Sequence, residues 1–357
     1  AEWLRELKII KAYGHNHVRF HSWCPPEAAF EAADELGMYL YIECSSWANQ
    51  STVIGDGKPV DAFVMAEAER IVKEYGNHPS FCMMSYGNEP GGARHKEYLQ
   101  AFVTYWHNKD NRRIYTTASG WPNLPDNDFL SDPNARIQRW GEGLNSIING
   151  KAPQTGYDWR DYVDKYPAQP MISHEIGEWC VYPDFKEIKK YTGVYKAKNF
   201  EIFRQRLVEN GMAQFADSFL LASGKLQTLC YKADIEAALR TPRFGGFETL
   251  GLNDFPGQGT ALVGSLNVFW EDKGYVTAGE YSRFCNSIVP LARMQKLIFN
   301  NDEQFSADVE IANYKEVLNN PDITWTLRDK GKNIVKQGRL NVAKVERGNC
   351  RNVGRIS

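Results

Sequence analysis

Over the first two thirds of the chain, short apolar runs closed by glycine or proline alternate with longer stretches of helical periodicity. Residues 2–13 place Trp3, Leu4, Leu7 and Ile10 on one helical face, and Gly14 closes the segment. A strand follows at residues 18–22. Pro25 and Pro26 open a helix that runs to Leu36 and is capped by Gly37. Residues 38–44 are the next strand, and a polar loop leads to a helix over 62–75. Phe81, Cys82, Met83 and Met84 form an apolar run of the kind buried on both faces of a parallel sheet, and it stops at Asn88-Glu89-Pro90-Gly91-Gly92.

The same alternation continues beyond that stop. Tyr98, Leu99, Phe102 and Trp106 mark a helix over 95–108, and residues 114–119 a strand. Residues 123–156 are weakly patterned and too long for an ordinary connection, which predicts a loop lining one side of a binding site. A short helix over 158–166 leads to a strand at 170–175. Residues 198–240 read as an inserted helix pair, 244–255 as another strand and 278–293 as a last helix. From Ile298 the period changes to two: Phe305, Val309 and Ile311, then Ile323, Trp325 and Leu327, then Ile334 and Val335 beyond a Lys330-Gly331-Lys332 turn. This predicts a parallel α/β fold, barrel or doubly wound, over residues 1–296 and a change to β-structure over 297–357; the chain of 357 residues could hold a barrel of ~250 with an appendage.

Two strand tips carry acids. Glu89 follows the apolar run, and Glu175 ends Pro170-Met171-Ile172-Ser173-His174, with Glu178 three residues on. Chemistry in parallel α/β folds sits at such C-terminal tips, and two carboxylates there are the equipment of glycoside hydrolysis. The net charge of −2 and pI near 6.4 give no reason to expect nucleic acid or an anionic membrane as partner. No apolar run reaches membrane-spanning length. The seven cysteines show no metal-ligand spacing, and Cys82, Cys180 and Cys230 read as small buried hydrophobes. No metal or cofactor is expected.

Four stretches then resemble the catalytic barrel of glycoside hydrolase family 2, the retaining β-galactosidase, β-glucuronidase and β-mannosidase group: Tyr13-Gly14-His15-Asn16-His17-Val18-Arg19, Ala33-Asp34-Glu35-Leu36-Gly37, Gly87-Asn88-Glu89 and Ser173-His174-Glu175-Ile176-Gly177. The resemblance implies a (β/α)8 TIM barrel, with the chain opening inside its first helix so that the first strand is missing, and a partial β-sandwich behind it. It implies Glu89 as general acid/base and Glu175, ahead of Glu178, as nucleophile. Asn88 is implied as a donor to the sugar 2-hydroxyl and Arg19 as support for the nucleophile. His21 stands one residue before the family's usual histidine, where Ser22 is found. Glu43 matches a position that binds Mg²⁺ in some members, but Ser45 replaces the accompanying histidine, so a polar sugar contact is expected of Glu43. Trp140, expected on the sixth strand, and Tyr157 are candidate sugar contacts, as is Asp254. Trp23 is a candidate wall residue, and Leu250 stands where the family has a stacking tryptophan. His174, alternating with Glu175, is expected to pack behind the site. Glu271-Asp272-Lys273 replaces the uronate-reading Asn-x-Lys of glucuronidases, an acid in the first slot being repulsive to a uronate.

These residues imply a retaining exo-β-glycosidase, β-galactosidase-like, acting on a carbohydrate, with a homo-oligomer possible for a longer protein and a periplasmic or secreted location open. An endo-glycanase or transglycosidase of a related barrel, or a carbohydrate-binding relative without turnover, are the alternatives.

Overall fold

A computed structural model describes every residue except Gln50, Ser51 and Thr260. Helix α1 (Glu2–Ala12) precedes β1 (His17–Phe20), followed by α2 (Glu27–Leu36), β2 (Tyr39–Glu43), α3 (Pro59–Tyr75), β3 (Phe81–Ser85), α4 (His95–Lys109) and β4 (Ile114–Thr116). Strand β5 (Leu130–Asp132), the short helices α5 (Ile147–Gly150) and α6 (Arg160–Val163), β6 (Met171–Ile176), α7 (Lys198–Glu209), α8 (Ala216–Arg240) and β7 (Phe244–Thr249) complete the barrel half of the chain. Strands β1 to β4 form one parallel sheet in chain order, and β5 to β7 a second. Side-chain and loop bonds join the two: Asp128 N donates to the Tyr115 carbonyl (2.9 Å) and Thr116 Oγ1 to that of Phe129 (2.7 Å).

The helical periodicities seen in the sequence are the buried faces. Leu99, Phe102, Val103 and Trp106 of α4 are buried, as are Ala29, Phe30, Ala32 and Ala33 of α2, and both helices pack against the strands through one continuous core. No backbone pairing joins β1 to β7 among the described residues, and the space between these edges is crossed by side chains instead. His17 Nε2 lies 3.9 Å and Arg19 Nη1 4.0 Å from the carboxylate of Glu248 on β7, and the rings of His15 and Phe247 are 6.1 Å apart. Tyr281 extends this seam, in ring contact with Tyr13 and His15.

Several elements depart from the sequence pattern. Residues 278–293 are not one helix: α9 (Ala278–Tyr281) is a single turn, and β8 (Ile288–Arg293) is a strand at the edge of an antiparallel sheet. Val289 and Leu291 alternate inward there, and Pro290, which cannot complete a ladder, is tolerated on an edge. The sheet runs β14 (Gly348–Ile356), β9 (Ala307–Asn313), β8, and it is accompanied by two smaller antiparallel pairs, β10 (Leu318–Asn319) with β13 (Lys344–Val345) and β11 (Ile323–Arg328) with β12 (Ile334–Leu340). Arg293 ties this sheet to the barrel, donating to Glu310 (2.8 Å), Asp158 (3.1 Å) and the Arg240 carbonyl (3.0 Å). Trp140, expected on a strand, lies beyond β5 in the long connection. Strand β7 ends at Thr249, which leaves Asp254 on the loop that follows.

Candidate active site

The C-terminal ends of the parallel strands open into a cavity of about 1430 Å³, larger than the ~300–1,000 Å³ usual for small-molecule sites. It is lined by His21, Trp47, Glu89 and Trp121, by Asn134, Arg136, Arg139 and Trp140 of the long connection, and by His174, Glu175 and Glu178 at and after the end of β6. Leu250, Asn253, Asp254 and Phe255 come from the loop after β7. The long connection thus lines the site, as its length suggested.

Both candidate acids sit on backbone that L-residues rarely adopt, with φ of +37° at Glu89 and +49° at Glu175. Strain of this kind persists only where the surroundings hold it in place. At Glu89 the hold is a backbone bond from its N–H to the Ser119 carbonyl (2.9 Å). At Glu175 it is Arg136, whose Nη1 donates to the Glu175 carbonyl (2.9 Å) and to Glu178 Oε1 (3.0 Å). Gly177 then turns the chain with φ +92°; a Cβ there would lie 2.0 Å from the Tyr231 ring.

The kink at Glu175 overturns the expectation for His174. Strict alternation sends neighbours to opposite faces, but the β6–β7 register slips between Ser173 and Ile176, and both His174 and Glu175 face the cavity. His174 Nε2 is 3.6 Å from Glu175 Oε2 and 3.9 Å from Glu89 Oε1. A carboxylate oxygen of Glu89, one of Glu175 and a ring nitrogen of His174 all lie within 4.8 Å of one another.

Arg19 organises the ground beneath. Its Nη1 donates to Glu175 Oε1 (2.9 Å), its Nε to Glu43 Oε1 (2.6 Å) and its Nη2 to Asn88 Oδ1 (2.9 Å). Burial pushes the Glu175 carboxyl up, but the surrounding His174, Arg19 and His21 outweigh it and bring it down to about 2. Burial pulls His174 down against the opposing pull of Glu175, and Arg19 is the permanent cation bonded to the Glu175 carboxylate. Glu248 shares the same guanidinium at a distance, and burial raises it to about 8 against the pull of Arg19. Glu89 has a neutral donor instead: Trp47 Nε1 to Oε2 at 2.8 Å.

The remaining sequence candidates divide. Asn88 is fully buried beside Glu89, and its Nδ2 has no partner among the described residues, leaving a donor unspent. His21 lines the cavity, 3.9 Å from Glu175 and edge-on to Trp47. Asp254 lines it too, but its carboxylate pairs with Lys273 (2.6 Å) and accepts from Gly264 N (2.9 Å). Glu43 is not a sugar contact: it is fully buried, and its oxygens are taken by Arg19, Ser22 N (2.6 Å) and Ser119 Oγ (2.5 Å). Trp140 stands at the mouth, 84% exposed. Tyr157 leaves the site altogether, its ring packed between Trp159 and the Arg240 guanidinium. Trp23 packs on Trp3 and Phe20 rather than on a cavity wall. Cys180 is exposed and lines the cavity, whereas Cys230 is buried and Cys82 half-buried. Lys273 also donates to the Gly264 carbonyl (2.8 Å), and Glu271 pairs with Lys190. Arg136, Trp47 and Trp121 carried no periodic or motif signal, being loop residues.

A family model described as "Glycosyl hydrolases family 2, TIM barrel domain" matches residues 2–207, and one described as a domain of unknown function matches residues 303–357. The β-galactosidase of Vibrio vulnificus (strain YJ016) is 25% identical over 175 residues, covering 48% of this chain and 15% of that protein. The β-galactosidase of Leuconostoc mesenteroides is 24% identical over 138 residues, 38% of this chain and 13% of that protein. The chain thus matches only a small part of the length of these curated relatives. Among solved structures, the exo-β-D-glucosaminidase CsxA superposes with a TM-score of 0.55 at 14% identity over 99% of this chain and 42% of that one. The FMN-binding β-glucuronidase of Facaelibacterium prausnitzii L2-6 superposes with a TM-score of 0.53 at 14% identity over 96% of this chain and 49% of that one. No helix among the described residues is long and apolar enough to cross a membrane.

Proposed function

The chain belongs to glycoside hydrolase family 2, and from that premise we propose that it is a β-glycosidase that works with retention through a covalent glycosyl-enzyme. Glu175 attacks the anomeric carbon while Glu89 protonates the leaving oxygen; Glu89 then takes a proton from the water that releases the sugar. The observation that carries this reading is that an oxygen of Glu89 and an oxygen of Glu175 lie within 4.8 Å of each other. Such an approach favours the ~5–5.5 Å carboxyl spacing of retaining enzymes over the ~6.5–9.5 Å of inverting ones. Arg19 supports the same division, because a nucleophile must be ionised and Glu175 is the acid with the cation bonded to it. Glu178, bonded to Arg136 at the cavity wall, is assigned no part in bond cleavage.

The substrate we propose is a β-linked, uncharged sugar of galactoside type. The names of the two β-galactosidases support it, as does the engagement of Lys273 with Asp254 and Gly264, which withholds that cation from a uronate. Asn88, implied by the family resemblance as a donor to the sugar 2-hydroxyl, lies beside Glu89 with its Nδ2 unpartnered among the described residues, but it is buried and does not line the cavity.

Azide separates the two roles. Glu89→Ala should still form the glycosyl-enzyme from an aryl glycoside, whose leaving group needs no proton, and azide should then give a β-glycosyl azide. Glu175→Ala should give the α-azide, the anion entering from the vacated face. Swapped anomers, or undiminished turnover by Glu175→Ala on a nitrophenyl glycoside panel, would overturn the assignment.

A further inference from the structure

Three atoms of the cavity lining lie within 4.8 Å of one another. Trp47 Nε1 holds Glu89 by Oε2 (2.8 Å), which leaves Oε1 turned toward His174. Arg19 holds Glu175 by Oε1 (2.9 Å), which leaves Oε2 turned the same way. His174 is 2% exposed, and its Nε2 has no hydrogen-bond partner among the described residues. A buried nitrogen in that position costs free energy unless something meets it. Its Nδ1 lies 3.3 Å from Ser131 Oγ, and in the tautomer in which Nδ1–H donates to that hydroxyl the Nε2 lone pair faces the two oxygens.

We infer that Glu89 Oε1, Glu175 Oε2 and His174 Nε2 form a binding site for one Zn²⁺-type divalent ion in the free enzyme. The separations of 3.6 and 3.9 Å from the nitrogen to the two oxygens suit ligands ~2.0–2.2 Å from a shared ion, and three protein ligands leave a fourth, open position. Each ligand already has the outer partner that metal ligands use: Trp47, Arg19 and Ser131. One nitrogen and two oxygens favour zinc over Mg²⁺, which seeks an octahedron of oxygens. An ion here would occupy the oxygens that hydrolysis uses, so zinc and sugar would compete for this part of the cavity.

Isothermal titration of the substrate-free protein with zinc chloride tests the site without reference to turnover, so it can fail while the proposed hydrolysis stands. The expected result is one tight site per chain, absent with magnesium chloride. His174→Ala and Glu175→Gln should each weaken it by more than the ~10–100-fold that loss of an outer partner costs, and Ser131→Ala by an amount inside that range. Because seven free thiols could also take zinc, Cys180→Ser is the control and should bind as the wild type does. Circular dichroism checks that each variant is folded. The inference is overturned by an absence of zinc binding to the wild type, by Cys180→Ser abolishing it, or by both His174→Ala and Glu175→Gln leaving it intact.

Discussion

Glu89 and Glu175 end two strands of one barrel, each on left-handed backbone and each next to a glycine-bearing turn, yet their surroundings are opposite in kind. Glu175 is gripped by a buried guanidinium and has an 11% exposed side chain; Glu89 takes a bond from a neutral indole and is 20% exposed. A cation bonded to a buried carboxyl favours the anion, and a neutral donor does so far less. The tips are similar in sequence and in local geometry, so the difference between them comes from their neighbours, Arg19 from β1 and Trp47 from the loop after β2.

The strongest way to break that comparison is to remove each carboxylate's charge. Glu175→Gln should lower turnover of a dinitrophenyl glycoside by at least ~10⁴-fold, since no nucleophile remains. Glu89→Gln should leave formation of the glycosyl-enzyme on that substrate nearly intact and slow its breakdown by ~10²–10⁴-fold. Pre-steady-state release of dinitrophenolate reads both, and equal losses in the first step would erase the distinction.

Arg19→Lys keeps the charge but not a fork able to reach Glu43, Glu175 and Asn88 together. Loss of one charge-assisted bond predicts a fall in kcat of ~10–100-fold. The acid limb of the kcat/KM profile should also move to higher pH, because the hydrogen bond from Arg19 is among the contacts that hold the Glu175 carboxyl down. An unmoved limb would mean that Arg19 serves packing alone.

Trp47→Phe tests the other side of the comparison. It removes the bond to Glu89 Oε2 while keeping an aromatic ring beside His21, and should slow glycosyl-enzyme breakdown about tenfold. Azide should bypass that deficit; a deficit that azide leaves in place would put Trp47 in sugar binding instead.

The smallest effect sets Glu175 against Glu248 on the neighbouring strand. Glu175 is depressed, so its stability contribution is present above the ordinary carboxylate range and lost as pH falls toward 2. Glu248 is raised to about 8, so its contribution is full below the ordinary 4.5 and is lost as pH rises through 8. Melting temperature should therefore decline between pH 5 and 8.5, and Glu248→Gln should flatten that decline by ~2–4 °C, scanned by calorimetry. An unchanged slope would place the titration elsewhere.

Hydrophobic period by itself determined the strand–helix alternation, the change to a period of two near Ile298 and the placing of both acids at strand tips, since burying one face per element leaves few other arrangements. It failed at residues 278–293, where Val289 and Leu291 fit a helix face or a strand equally well and only a neighbouring strand, β9, decides between them. The resemblance of short motifs pointed to Glu89, Glu175, Arg19 and Asn88. What only the tertiary structure decided lies wherever a side chain's direction or partner depends on distant chain: His174 turns inward because Arg136, 38 residues earlier in the numbering, helps hold Glu175 off the pleat. Glu43 is consumed by Arg19 and Ser119, and Tyr157 is claimed by Trp159 and Arg240. Local sequence sets the period of an element, but the charges and donors that meet at its tip arrive from other strands, and no periodicity records them.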